Sequence, residues 1–140
     1  MVWNVPWNEN YRIGVYRIDL EHEELFRLAN LVLDLKGADK DTLTTIFRGL
    51  YKYTKYHFSG EEVLMRDLRY PGLTEQKILH KAIIRQMEAI LQRANDLTQL
   101  QSQLQTFMHG WIVKHVLEVD LRLAEHIKTN GLEVPKSPTA

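Results

Sequence analysis

The residues best able to do chemistry in this 140-residue chain are its histidines, six in number. Four of them, His22, His57, His80 and His115, lie among apolar neighbours. An imidazole turned into an apolar core is costly without a partner, and a metal ion is an economical partner. In His57-Phe-Ser-Gly-Glu61 the imidazole and a carboxylate are four residues apart, on one helical face. In His115-Val-Leu-Glu-Val-Asp120 the offset is five, ~140° around a regular α-helix, so the two side chains cannot point the same way. They can still approach one ion from different sides, as a bridging carboxylate does. Nitrogen and carboxylate donors without sulfur suit iron, manganese or zinc. Four imidazoles and two carboxylates exceed what one tetrahedral zinc needs, so two metals sharing Glu61 and Asp120 is the better count. A single histidine on an apolar face is ordinarily a satisfied core residue. Four, with two carboxylates at fixed offsets, are not explained that way. His109 is out of phase with His115 and His126 lies three turns beyond it, so both are read as ordinary.

Positioning these groups takes helices. Residues 1–18, with several aromatics, Pro6 and Gly14, read as an extended arm. Asp19 is the expected N-cap of a first helix, with Glu21 and Glu23 in its first turn; Leu25, Phe26, Leu28, Ala29, Val32, Leu33 and Leu35 form its apolar face and Gly37 its stop. Asp39 or Asp41 caps a second helix running to about Leu68. Its expected inner face is Ile46, Phe47, Leu50, Tyr53, Tyr56, His57, Val63 and Leu64, and Ser59-Gly60 is a local weakness. Arg69-Tyr70-Pro71-Gly72 is a strong break. Thr74 is expected to cap a third helix ending near Asn95, with Ile78, Leu79, Ala82, Ile83, Met87, Ile90 and Leu91 as its apolar positions. After a turn at Asn95–Thr98, a fourth helix runs from about Leu100 to Asn130 and stops at Gly131. Four long helices with short connections predict an all-α, antiparallel up-down four-helix bundle, one histidine per helix. The domain is expected over residues 1–131, with 132–140 a loose tail or the start of a linker.

Bulk properties exclude other classes. The chain fits one domain. Lys+Arg and Asp+Glu are both 18, giving zero formal net charge, unlike the basic footprint of a nucleic-acid binder. No apolar run approaches the ~18 residues of a membrane span. MVWNVPWNENYRIG lacks the basic start and apolar run of a secretory signal, and cytoplasm is the default compartment. With no cysteine, disulfides, thiolate chemistry and iron–sulfur ligation are excluded.

Taken in order, the motifs resemble those of bacterial hemerythrins. Trp7, then Gly14-Val15, then Ile18-Asp19-x-x-His22 before Leu25-Phe26 resembles that family's opening. His57-Phe-x-x-Glu61-Glu62 resembles its second signature and Trp111-Ile-Val-Lys-His115-x-x-x-x-Asp120 its fourth. The resemblance implies two iron ions bridged by oxide or hydroxide, with His22, His57, Glu61, His80, His115 and Asp120 as ligands. Glu61 and Asp120 would bridge, His22 and His57 would hold the iron that binds oxygen, and His80 and His115 would hold the other. The third signature is His-x-x-x-His, and His80-Lys-Ala-Ile-Ile84 has Ile84 in the second place. That substitution implies an open coordination position on the iron held by His80 and His115, to be filled by water, hydroxide, an anion or an unidentified side chain. The resemblance also implies an apolar oxygen pocket of Leu25, Phe58, Trp111, Ile112 and Val116, with Ile84 beside it.

The expected function is therefore oxygen binding, for carriage, storage or sensing, with molecular oxygen or small anions as partners and a binding module rather than an enzyme. The alternatives are a di-iron enzyme acting on peroxide, nitric oxide or oxygen through the extra open position, the sensory part of a longer protein with an output domain, and a bundle that has lost tight iron binding.

Overall fold

A computed structural model of the chain describes residues 6–34, 39–93 and 96–134, apart from the side chains at 34, 97, 112, 113, 116 and 117. The first helix, α1, spans Tyr16–Asp34, four residues earlier than an N-cap at Asp19 predicts. Val15 offers the first helical acceptor to the Asp19 amide. The Asp19 side chain, buried in the first turn, instead accepts hydrogen bonds from the backbone N–H groups of Ile13 at 2.7 Å and Gly14 at 3.1 Å. That contact ties down the chain before the helix, which is less extended than expected. It includes a 3-10 turn, Glu9–Tyr11, capped by Asn8, and Gly14 takes a φ of +88°, which glycine adopts without a Cβ penalty. Trp7 and Tyr11 pack against Phe26 with ring centroids 5.3 and 5.5 Å away.

Helix α2 spans Lys40–Asp67, and Asp39 is its cap, accepting from the Thr42 amide. Ser59 and Gly60 do not interrupt it, because the stripe Leu43, Phe47, Leu50, Thr54, His57, Phe58, Glu61 and Met65 is buried on both sides of them. Tyr56 and Val63, expected inside, are 54% and 47% exposed; they fall off that stripe, and the Tyr56 hydroxyl meets Arg17 instead. The break after α2 is as expected. Arg69 takes a left-handed φ of 54° and the Tyr70 amide returns to the Met65 carbonyl.

Helix α3 spans Leu73–Arg93. It starts before Thr74, which is therefore inside it rather than its cap. Gln76, His80, Ile83 and Met87 form its buried seam, whereas Ile78 and Ala82, expected inside, are exposed. The fourth helix starts at Leu97, earlier than Leu100, because Asp96 caps it by accepting from the Gln99 amide. It is composite: α4 over Leu97–Met108, π-helical segments over His109–Val113 and His115–Asp120, then α5 over Leu121–Thr129. Gly131 ends it with a φ of 59°, and the Leu132 amide closes back on Ile127. The expected stop at Gly37, the turn residue Asn95 and the prolines of the tail lie outside the described residues.

Each of α1 and α3 packs on both α2 and α4, which closes the antiparallel bundle; no strand occurs among the described residues. Two apolar clusters fill it. One holds Leu25, Phe26, Phe47, Leu50, Met87 and Leu104 among others, and the second holds Ile13, Val15, Ile18, Met65, Leu123 and Ile127. In every helix the histidine falls between residues of the first cluster and residues packed on the second, so the four histidines share one polar layer.

Candidate metal centre

That layer is made by two fully buried carboxylates set between two pairs of imidazoles. Glu61 turns one oxygen to each pair: Oε2 is 3.0 Å from His57 Nε2 and 3.3 Å from His22 Nε2, while Oε1 is 3.1 Å from His80 Nε2 and 3.9 Å from His115 Nε2. Asp120 does the same, with Oδ2 3.0 Å from His22 Nε2 and Oδ1 3.2 Å from His115 Nε2. Two overlapping donor groups result, His22, His57, Glu61 and Asp120 on one side and Glu61, His80 and His115 on the other, each within 4.8 Å. All six residues singled out from the sequence are thus brought together.

The π-helical turn is what admits Asp120. In a regular helix His115 and Asp120 would diverge, but bonding i to i+5 turns the residue five places on back towards the same side. The same-side geometry excluded on α-helical spacing is therefore the one found, and the physical reason is the wider turn.

Two further carboxylates set the imidazoles. Glu21 Oε1 lies 2.8 Å from His57 Nδ1, and Glu62 Oε2 lies 2.7 Å from His80 Nδ1. An Nδ1–H donated outward leaves the Nε2 lone pair aimed into the layer, the tautomer a metal needs. Arg17 pairs with Glu21 from the surface. Sequence reasoning missed these orienting roles, although Glu21 adjoins His22 and Glu62 adjoins Glu61.

Electrostatics oppose burial here. Burial alone would strip the proton from His22, but the adjacent Asp120 and Glu61 carboxylates outweigh it and raise its pKa to about 9. Burial acts the same way on His115, and Asp120 with Glu61 lifts it to about 10. His57 is also raised: Glu61 and Glu21 overcome burial and the repulsion of His22. Burial pushes Glu61 up, yet His57, His115 and His22 hold it well below the ordinary carboxylate range. Burial and Glu61 push Asp120 up, and His115 and His22 bring it below its ordinary value.

The donor set fits a pair of cations. Several of its atoms, His57 Nε2, Glu61 Oε1 and Asp120 Oδ2, are buried without a hydrogen bond. Each such atom costs on the order of 1–3 kcal/mol, a large sum against a domain stability of ~5–15 kcal/mol. They lie close together but are not angled to satisfy one another, as donors converging on shared ions are.

Of the expected pocket, Phe58 stacks on His80 with centroids 3.7 Å apart and planes 2° apart, and Trp111 lies 5.7 Å from Phe58 and 6.1 Å from His115. Leu25 is buried in the same apolar cluster. The side chains of Ile112 and Val116 lie outside the described residues. Ile84 does not join the carboxylates; it packs on the apolar cluster and lines an outer cavity of about 300 Å³ with His80, Glu62 and Lys81. The α3 residue set against Asp120 is Gln76, one turn before His80, with Nε2 3.4 Å from Oδ1. Positions 76 and 84 are both one turn from His80 on the same face. Their fates differ because α3 passes Asp120 before His80 and runs into the apolar cluster after it. A second cavity, of about 460 Å³, opens between α3 and the π-helical stretch and is lined by Leu79, Ile83, Phe107, Trp111, His115 and Val119 among others.

The chain resembles several known proteins along most of its length. It is 32% identical over 122 residues to a bacteriohemerythrin of Clostridium acetobutylicum, covering 81% of this chain and 94% of that protein. It is 24% identical over 134 residues to one from Pseudomonas paraeruginosa, covering 95% and 88%, and 23% identical over 125 residues to one from Stenotrophomonas maltophilia, covering 89% and 82%. Residues 13–127 match the family model described as the hemerythrin HHE cation binding domain, and with the buried histidine–carboxylate layer in place the chain belongs to the hemerythrin family.

Proposed function

We propose that this protein holds two irons in the buried layer and binds molecular oxygen there reversibly, as a binding module for carriage, storage or sensing. His22, His57, Glu61 and Asp120 serve one iron, and His80, His115, Glu61 and Asp120 serve the other. The observation that carries this reading is the division of each carboxylate, one oxygen to each histidine pair. A single-ion site has no use for that arrangement. Two irons supply the electron exchange that reversible oxygen binding requires. The chain supplies the rest. Glu21 and Glu62 fix the tautomers of His57 and His80, and Phe58 and Trp111 wall the layer with aromatic surface that excludes water. The cavity that reaches His115 is lined mainly by apolar side chains, which suits entry of a small uncharged molecule.

The test is metal content with an optical spectrum, recorded anaerobically, in air, and again after oxygen is removed. An absorption that appears with oxygen and disappears without it is the expected result. Irreversible oxidation on first exposure to air would rule out reversible binding and favour di-iron enzyme chemistry. A chain that takes up no iron would end the di-iron reading.

A further inference from the structure

Gln76 has no part in the ligand set above, yet it occupies the same layer. Its side chain is 2% exposed. Its amide nitrogen lies 3.4 Å from Asp120 Oδ1, and its amide oxygen is buried with no partner. The orientation of the amide follows from chemistry: only the NH₂ group can donate to a carboxylate, so the oxygen is the end left over. Leaving that oxygen bare costs on the order of 1–3 kcal/mol. A leucine or methionine would fill the α3 seam between Leu73 and Ile83 without the cost.

We propose that Gln76 Oε1 is a direct ligand of the metal held by His80 and His115, while its NH₂ group steadies the bridging Asp120. The proposal rests on the di-iron reading. Gln76 approaches the group of Glu61, His80 and His115 from α3, one turn before His80, and it donates to the Asp120 oxygen that faces His115. A neutral amide oxygen is an acceptable donor to an iron-type ion, but a weaker one than imidazole nitrogen. Gln76 therefore holds the metal at His80 and His115 less firmly than a histidine at the same place would. The position that the sequence left for an unidentified side chain is filled at residue 76, and Ile84 is not a gap in the site.

The test uses the full chain loaded anaerobically with iron(II), then challenged with a chelator. Iron per chain is followed by elemental analysis, and folding by circular dichroism. Gln76→Leu should release one of the two irons at least about tenfold faster and affect the other far less. Gln76→His should slow release of that same iron below the rate of the natural chain, and Ile84→His should change neither. The proposal is overturned if Gln76→Leu releases both irons at the natural rates, or if Ile84→His slows release and Gln76→His does not. If Gln76→Leu fails to fold, Gln76→His decides, and an unchanged release rate overturns the proposal. A natural chain that takes up no iron defeats the underlying reading instead, and is recognised by its failure before any variant is compared.

Discussion

At the scale of single residues, the layer divides into atoms that face both histidine pairs and atoms that belong to one side. Glu61 and Asp120 each serve both histidine pairs, whereas the His22 ring faces one pair and its carboxylate partners. Glu61→Ala and Asp120→Ala are expected to lower iron from about two per chain to well under one, and His22→Ala to about one. Elemental analysis of the three variants checks this. If His22→Ala strips both irons while Glu61→Ala keeps both, the bridging assignment is wrong. The four histidines of the layer were legible because histidine among apolar residues is rare enough to notice, and Glu61 and Asp120 followed from their offsets. Gln76 was not legible, because a glutamine in an amphipathic helix reads as surface until burial is known. Its only sequence signal is its place four residues before His80.

The next scale is that of the elements. Asp19 illustrates a side chain whose sequence role and structural role differ. It reads as a helix cap but works backwards, holding the Ile13 and Gly14 amides. Asp19→Ala leaves two N–H groups without their partner, so a loss of about 1–3 kcal/mol is expected. Urea denaturation should show a lower midpoint with an unchanged slope; an unchanged midpoint would mean that water satisfies both amides. The π-helical turns are the second case. Such turns are rare and disfavoured against α-helix, so something must hold them, and here the His115 imidazole and the Asp120 carboxylate converge on one layer. Removing the metal should accelerate amide hydrogen exchange over 109–120 far more than over 40–54 in α2. Equal acceleration in both stretches would show that the π turns are held by packing alone.

For the molecule as a whole, the two apolar clusters form the bundle and the polar layer between them is its weak point. In protein stripped of metal, His22 and His115 bind protons more tightly folded than unfolded. Their stabilisation is fully present below the ordinary value of 6.5 and is lost as the pH rises through about 9 and about 10. Glu61 and Asp120 lie below their ordinary values of 4.5 and 3.8. Their share is present above those values and lost as the pH falls towards the folded ones. Stripped protein should therefore melt highest between about pH 5 and 6.5 and lose stability towards pH 10. Metal ligation requires the same imidazoles deprotonated, so the rise in melting temperature on adding iron(II) anaerobically should grow between pH 6 and 8. Calorimetry across that range checks both signs, and a metal-induced rise that shrinks with pH would show that the histidines do not lose protons to ligation.

The sequence by itself determined the bundle, the histidine of each helix and the Glu61 and Asp120 carboxylates, since helical periodicity and ligand type are local properties. It also carried the family, through motifs that span the chain. Only the tertiary structure decided how those groups meet. The side on which Asp120 approaches His115 depends on a π turn that α-helical spacing hides. That Gln76 lies against Asp120 while Ile84 packs on the apolar cluster depends on the path of α3, since both positions share one face of that helix. Tyr56, Val63 and Ile78 face outward for the same reason: a helix presents several near-equivalent apolar stripes, and the neighbours it packs against select which one is buried.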